Sequence, residues 1–349
     1  MKKKNTNAQR RKVRFDNGYL KDPRIKKIYL TFKTKLYSQI KNNRFCIGVS
    51  GGPDSLALAF LCKVFSIEFN NKFIALIVDH NLRKQSGNEA QKVKKILKKH
   101  KIKTKILTWR GKIPKSNIQF NARNIRYFLF SKECDKLNIQ NLVLAHHEDD
   151  LIENFFIRLF RGSGLKGLSS LNVRRSSEGN DLNLIRPLIN IKKNELIYIS
   201  TKVFKFYVTD SSNFKERFLR TRIRNYLDRF KSDGLDVSKV KLTLSNLQSA
   251  NQSINFYKEK SIKNYTRLLN DNSYFVSCNL FNYESGEVIF RTISDIISKV
   301  SGKYYPPRGK SVKNLVTKIQ SKIFEKSTLG GCIIEKSYNF LIFKKEFGI

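Results

Sequence analysis

Six consecutive residues, Ser50-Gly51-Gly52-Pro53-Asp54-Ser55, are of the types that hold a phosphate. They follow an apolar run and precede a helical pattern. A glycine-rich turn in that position lets backbone N–H groups approach an anion, and the helix N-terminus adds about half a positive charge facing it. The segment is not a Walker A loop, because no Gly-Lys-Ser/Thr follows, and it lacks the Gly-x-Gly-x-x-Gly spacing of dinucleotide sites. Asp54 would set a carboxylate beside the phosphates, where like charges repel unless a cation lies between them, so magnesium is implied. A plain turn with Asp54 or Ser55 as helix cap uses the same residue types. The position after the first strand of an α/β pattern favours the phosphate reading.

A second polar constellation, His146-His147-Glu148-Asp149-Asp150, also follows an apolar run. Asp54 and Asp150 are the carboxylates assigned to Mg2+, a hard ion that takes one or two carboxylates and leaves its other positions to water and substrate phosphates. Asp149 is their neighbour. An acidic first turn complementing a helix dipole accounts for two carboxylates, but not for paired histidines before them. The histidines do not make a zinc site, since adjacent side chains diverge and neither a His-Glu-x-x-His pattern nor a cysteine partner is present. Glu153, three residues after Asp150, falls on the same helical face.

The elements that must position these residues are legible as alternating short apolar runs and helical stretches. The runs are 45–49, 73–79, 104–108, 142–145 and 182–185, and the helical stretches between them are 55–66, 88–100, 117–137 and 149–160. That alternation is the form of repeated βαβ units: a parallel sheet covered by helices on both faces. Ligands of such sheets bind beyond the carboxyl ends of the strands, and both polar constellations fall there, as does Asp79-His80. The boundaries expected are a basic N-terminal arm at 1–40, a catalytic domain at 41–233, a helical connection at 234–272 and a small basic α+β module at 273–349. In that module 287–300 and 310–322 read as helices, and 332–335 and 340–343 as strands.

Composition narrows the classes further. The chain has 349 residues, 69 basic against 28 acidic side chains and a net charge of +41, far beyond the magnitude of roughly 2 to 8 that solubility needs. A field of that size attracts polyanions, nucleic acid first among them, although part of the lysine excess is compositional. No apolar run approaches the roughly 18 residues of a membrane span. The five cysteines are scattered and contain no Cys-x-x-Cys pair, which argues against a disulfide framework or a Cys-held cluster. The basic start has no signal core, so the cytoplasm is the expected compartment.

With these blocks in view, the sequence resembles the ATP pyrophosphatases with a Ser-Gly-Gly-x-Asp-Ser loop, and within them the tRNA(Ile)-lysidine synthetases. The resemblance runs from about Arg44 to Tyr226. It rests on the loop, Val78-Asp79-His80-Asn81-Leu82-Arg83, Ala122-Arg123-Asn124-Ile125-Arg126-Tyr127, the segment from His146 through Asn154, Arg158 through Leu168 and Arg186-Pro187-Leu188. It implies an adenine nucleotide alpha hydrolase-like fold, ATP and Mg2+ as cofactors, and free L-lysine and an isoleucine tRNA with a cytidine wobble base as partners. The reaction implied adenylates the C2 oxygen of that cytidine, after which lysine displaces AMP. The lysine amine must first lose a proton, at a cost of about 4.6 kcal/mol at pH 7, so a carboxylate must help; Glu153 is the candidate to bind the ammonium or take its proton. Arg123 and Arg220 lie in matching motifs and are assigned to phosphate charge or RNA backbone, and His147, rather than His146, to the reacting phosphate or base. The chain departs from the family at Asp210-Ser211-Ser212-Asn213 and at Thr221, within Arg220-Thr221-Arg222-Ile223-Arg224. The segments 158–166 and 217–229 are expected to contact RNA.

Two other readings use the same residues. An ATP-dependent tRNA thiolase predicts nucleophilic cysteines at the site, and a non-catalytic basic RNA-binding protein predicts no use for Asp54, Asp150 and Glu153 beside a phosphate.

Overall fold

The computed structural model describes residues 17–40, 43–81, 85–112, 116, 118–169, 176–177, 180–208, 219–270, 273–302, 307–321 and 323–346. Its contacts divide the chain into two units, the first running to Phe160 and from Leu171 to Leu235, the second comprising Arg161–Ser170 and Asp236–Ile349.

In the first unit, a 3-10 turn (Asn17–Lys21) and α1 (Pro23–Ile40) precede β1 (Phe45–Gly48), α2 (Pro53–Glu68), β2 (Phe73–Asp79), α3 (Ser86–Lys99), β3 (Thr104–Thr108), α4 (Ile118–Lys136), β4 (Asn141–Val143) and α5 (Glu148–Leu159). The short α6 (Leu165–Leu168) belongs to the second unit. The first resumes with β5 (Ser176–Ser177), β6 (Asn180–Ile185), α7 (Lys193–Phe204) and α8 (Leu219–Ser232). The sheet order is β3-β2-β1-β4-β6-β5. The first five strands are parallel and the two-residue β5 runs antiparallel at the edge. From β1 the chain winds outward through β2 and β3, then returns to lay β4 on the other side of β1. The carboxyl ends of β1 and β4 therefore flank the point where strand order reverses, the usual ligand position in such sheets.

Strand periodicity divides the core. Phe45, Ile47, Ala75, Ile77, Val143 and Ile185 face one cluster together with α1, α2 and α7. Cys46, Leu76, Leu107, Leu142 and Leu184 face the other, under Phe130 and Cys134 of α4. Helix α2 is buried on nearly every side, from Leu56 through Cys62, as a helix sandwiched between a sheet and other helices must be.

Two expected boundaries are corrected. Of the segment 1–40, residues 1–16 lie outside the described residues, but α1 is no arm: Ile25, Ile28, Tyr29, Phe32, Leu36 and Ile40 are buried in the core, and the Phe32 ring meets Phe65 edge-on at 6.4 Å. Its many cations, Arg24, Lys26 and Lys27 among them, sit on the exposed side, so bulk composition concealed a regular apolar stripe. The expected connection 234–272 is instead part of the second unit. Its 29-residue helix α9 (Val237–Tyr265) runs into β7 (Thr266–Asn270), an edge strand of the second sheet.

That unit continues with β8 (Ser273–Ser277), α10 (Asn279–Tyr283), α11 (Gly286–Ser301), α12 (Gly309–Gln320), β9 (Lys326–Leu329), β10 (Cys332–Ser337) and β11 (Phe340–Lys345). The antiparallel order is β7-β8-β11-β10-β9. Ile289, Ile293, Ile296, Ile297 and Val300 of α11 pack on Ile334, Leu341 and Phe343. Buried Arg291 ties α11 to α9 through Asn251 at 2.7 Å and Asn255 at 3.0 Å. Among the described residues no helix is long and apolar enough to cross a membrane.

If α1 is core, Phe32→Ala should cost about 3–5 kcal/mol of unfolding free energy, measured by urea denaturation. A variant as stable as the parent would return 23–40 to the status of an arm.

Candidate active site

The loop at 50–55 closes on its own last residue. The Ser55 hydroxyl, 5% exposed, accepts from the N–H groups of Ser50 and Gly51, both at 3.1 Å, and donates to the Gly52 carbonyl at 3.0 Å. Gly51 has φ +88° and its carbonyl accepts from Val208 N–H at 2.9 Å. A Cβ there would stand 2.5 Å from Val93 Cγ2 and 3.1 Å from Val208 Cγ2. Gly52 is the N-cap of α2 and Pro53 its first residue, a position where the missing N–H costs no hydrogen bond. The Ser200 hydroxyl donates to the Pro53 carbonyl, fixing the loop to α7. The N-terminus of a buried 16-residue helix thus opens at the end of β1.

Asp54, in the first turn of α2, points across to the loop after β4. His147 stands there as the N-cap of α5, and its Nε2 lies 3.6 Å from Asp54 Oδ2 and 3.5 Å from Asp150 Oδ2. Asp150 also accepts from the His147 backbone N–H at 3.2 Å. Burial pulls the His147 imidazole down, but the hydrogen bond with Asp54 and the charge of Asp150 outweigh it and raise its pKa above the usual value. Burial alone would raise Asp150, yet His147, His146 and Arg220 hold it below the carboxylate range. Asp54 Oδ1 is buried with no hydrogen-bond partner. An unpaired buried carboxylate oxygen opposite a second carboxylate fits a divalent cation, and two carboxylates are what Mg2+ ordinarily takes from protein. Among the described residues no set of three or more His, Cys, Asp or Glu side chains converges on a metal position.

His146 plays a different part. Its Nδ1 accepts from Arg186 Nε at 3.3 Å, and burial, with the nearby Arg186, Arg123 and Arg220 charges, keeps it neutral despite Asp150. His80, at the end of β2, has both ring nitrogens buried and without hydrogen-bond partners; burial and Arg126 push it down to about 4 against the pull of Asp79.

One turn along α5, Glu153 is 3% exposed. Its Oε2 accepts from Arg220 Nε at 3.0 Å and its Oε1 from Arg224 Nε, while Arg220 Nη2 reaches Asp150 Oδ1 at 3.9 Å. Both arginines come from α8, which is seated by buried Ile223 and Leu227 and by Phe230 against Phe156, ring centroids 6.3 Å apart. Behind Glu153 lies a cavity of about 230 Å³ whose polar lining includes Asp149, Asp228, Lys193 and Lys231 as well as Arg224. That is below the roughly 300–1,000 Å³ of drug-sized sites and suits a small metabolite carrying both charges. Lys231 Nζ is 3.9 Å from Asp149 Oδ1, so Asp149 lines this cavity, while its charge also helps to raise His147.

The fold therefore brings Asp54, His147, Asp150, Glu153 and Arg220 together at the reversal of strand order. Arg123 stands apart on the exposed side of α4: its contacts are with Tyr127, whose hydroxyl accepts from Nη2 at 3.3 Å and whose ring lies 5.1 Å beneath the guanidinium, although its charge is felt at His146. Segment 210–213 and Arg217 lie outside the described residues. Sequence reasoning missed Arg224 as the second partner of Glu153. The signal was there, since Arg220 and Arg224 are four apart and share a helix face. The cavity lysines Lys193 and Lys231 carried no comparable mark among so many cations.

The model of the PP-loop domain family matches residues 26–229, taking in most of α1, the loop at 50–55, His147, Asp150, Glu153, Arg220 and Arg224. Over 320 residues the chain is 34% identical to the tRNA(Ile)-lysidine synthase of Orientia tsutsugamushi (strain Boryong), covering 88% of this chain and 71% of that one. The chain belongs to the tRNA(Ile)-lysidine synthase family. The enzyme of that name from Rickettsia felis is 33% identical over 328 residues, covering 92% of this chain and 74% of its own. Membership makes the chain a ligase of the PP-loop, ATP-binding class. Among solved structures, the U34-tRNA thiolase NcsA from Methanococcus maripaludis matches with a TM-score of 0.56 and 18% identity, over 65% of this chain and 78% of that one, a likeness of fold alone.

The two loop glycines separate strain from space. Gly51→Ala should lose about 1–3 kcal/mol from the left-handed backbone alone and abolish ATP binding. Gly52→Ala, whose Cβ would meet only Ser50 Oγ at 3.7 Å, should keep or slightly raise stability. Thermal unfolding and calorimetric ATP titration of both variants check the contrast.

Proposed function

We propose that this chain joins lysine to C2 of the wobble cytidine of an isoleucine tRNA, converting the codon read from AUG to AUA. The observation that carries the reading is an amino-acid-sized cavity of mixed charge opening behind Glu153, one helical turn from the Asp54–His147–Asp150 cluster at the phosphate loop.

The C2 oxygen of cytidine attacks the α-phosphorus of ATP and pyrophosphate leaves, giving an adenylated cytidine. The lysine ε-ammonium first loses a proton to solvent, the neutral nitrogen attacks C2, the C2–O bond breaks, AMP leaves and the nitrogen gives up a second proton to solvent. Loop N–H groups and the α2 N-terminus bind the phosphates. Asp54 and Asp150 would hold Mg2+, which neutralises phosphate charge when bound. His147, kept above its usual pKa by the two carboxylates, can offer a proton or a hydrogen bond to phosphate oxygen.

Glu153, engaged by two guanidiniums, retains lone pairs for a third donor. That favours holding the lysine ammonium over accepting its proton. Lys193, Lys231 and Arg224 suit the α-carboxylate, and Asp149 and Asp228 the α-ammonium. Arg220, spanning Glu153 and Asp150, links the lysine side of the site to the phosphate side. Arg123 and the exposed cations of α8, Arg222 and Arg229, are assigned to RNA backbone. The cytoplasm, where tRNA and ATP meet, is the proposed compartment.

The thiolase reading fares less well, because the cysteines of the first unit, Cys46, Cys62 and Cys134, are buried in its core. Incorporation of labelled lysine into a cytidine-anticodon isoleucine tRNA, dependent on ATP and releasing AMP, is the expected result. Asp54→Asn should fold normally and lose at least about a hundredfold in rate. No incorporation by the parent would reject the proposal, and an unimpaired Asp54→Asn would remove that residue from the chemistry.

A further inference from the structure

One feature on the carboxyl edge of the first sheet is used by neither the phosphate loop nor the cavity. Trp109, the single tryptophan of the chain, follows β3 directly, and its N–H donates to the Asp79 carbonyl of β2 at 2.9 Å. With the order β3-β2-β1, it stands two strand spacings, about 10 Å, from the strand that carries the phosphate loop.

The indole is held in place. Its Nε1 donates to the Lys112 carbonyl at 3.2 Å, and the ring lies so close to Gly111 that a Cβ there would be 2.3 Å from Cζ2. Phe128 of α4 meets it edge-on, centroids 6.2 Å apart at 89°, yet Phe128 is 55% exposed and Phe120, two helical turns earlier on the same face, is 57% exposed. Between them on that face are Tyr127 and the Arg123 guanidinium that covers it, and Arg110 adjoins the tryptophan.

Large rings left in water cost free energy unless something covers them. The cations among these rings identify the cover as anionic. Fixed aromatic faces interleaved with arginine are the recognised form of a surface that stacks unpaired bases and grips their phosphates. A base-paired helix has no bases free to stack, so the partner must present single-stranded nucleotides.

The geometry points to Trp109, Phe120 and Phe128, with Arg123 held beside them on Tyr127, as a stacking platform for unpaired nucleotides flanking the base that enters the site. This rests on the tRNA reading above and adds to it the part of the RNA that is recognised and the residues that do so.

The lone tryptophan reports on its own site, because a base stacked on indole quenches its emission. The full-length protein is titrated with a synthetic anticodon stem-loop of an isoleucine tRNA and with a blunt RNA duplex of equal phosphate number. Binding is followed independently by anisotropy of a label on the RNA. The stem-loop should quench Trp109 and the duplex should not. Phe128→Ala, a change at an exposed position, should weaken stem-loop binding at least about fivefold, the lower end for loss of one base–aromatic stack, and leave duplex binding as it was.

Stem-loop binding with unchanged emission would overturn the platform, as would a Phe128→Ala variant that loses affinity for both RNAs equally. Emission that changes with protein concentration alone would mean that a second copy covers the face, and would also overturn it. The two proposals fail separately: lysine incorporation with a silent Trp109 rejects only the platform, whereas absence of incorporation and of stem-loop binding rejects the tRNA reading itself.

Discussion

Two carboxylates delivered by different strands to one imidazole set the terms for the rest of the site. Asp54 arrives on the first turn of α2 and Asp150 on the first turn of α5, and both lie within 3.6 Å of His147 Nε2. Such an arrangement is self-repelling, and it persists because cationic groups surround it: His147 itself, and Arg220 reaching Asp150 from α8. The same repulsion makes the position receptive to an external cation accompanied by phosphate. The order of the parallel strands, whose direction of progress along the sheet reverses between β1 and β4, is what allows the two helix N-termini to open side by side.

From that pair the site extends in two directions. Along α5, one turn carries the constellation to Glu153, where two arginines four residues apart on α8 take one carboxylate oxygen each. Removing either arginine would leave a nearly buried charge with half its partners, a costly state, so α8 is bound to α5 electrostatically as well as through Ile223, Leu227 and Phe230. Along the sheet edge, the loops after β2 and β3 carry neutral His80 and Trp109, beside the exposed Phe120 and Phe128 of α4. The phosphate end is thus rich in fixed charge, and the far end of the same edge is rich in aromatic surface.

Much of this was legible in the sequence. The loop at 50–55 and the carboxylates Asp54, Asp150 and Glu153 follow strands whose apolar runs are unmistakable, and strand-to-loop position is a local property. Partnerships across long separations were not legible: the four-residue spacing puts Arg220 and Arg224 on one helix face, but no local pattern names the carboxylate they meet, since Glu153 with Arg224 spans 71 residues. Helix α1 was misread because its lysines dominate the composition while its apolar residues recur quietly at three and four. Helix α9 was misread because its role depends on Asn251 and Asn255 meeting a buried arginine 36 to 40 residues away, a pairing that no local pattern encodes.

Asp54 and Asp150, as proposed, form one cation-dependent phosphate site. It is tested most directly by measuring ATP affinity calorimetrically over a range of Mg2+ concentrations in the parent and in Asp150→Asn. The parent should bind ATP more tightly as Mg2+ rises, and the variant should lose most of that dependence while still folding. ATP affinity independent of Mg2+ in the parent, or an identical dependence in both proteins, would contradict the account.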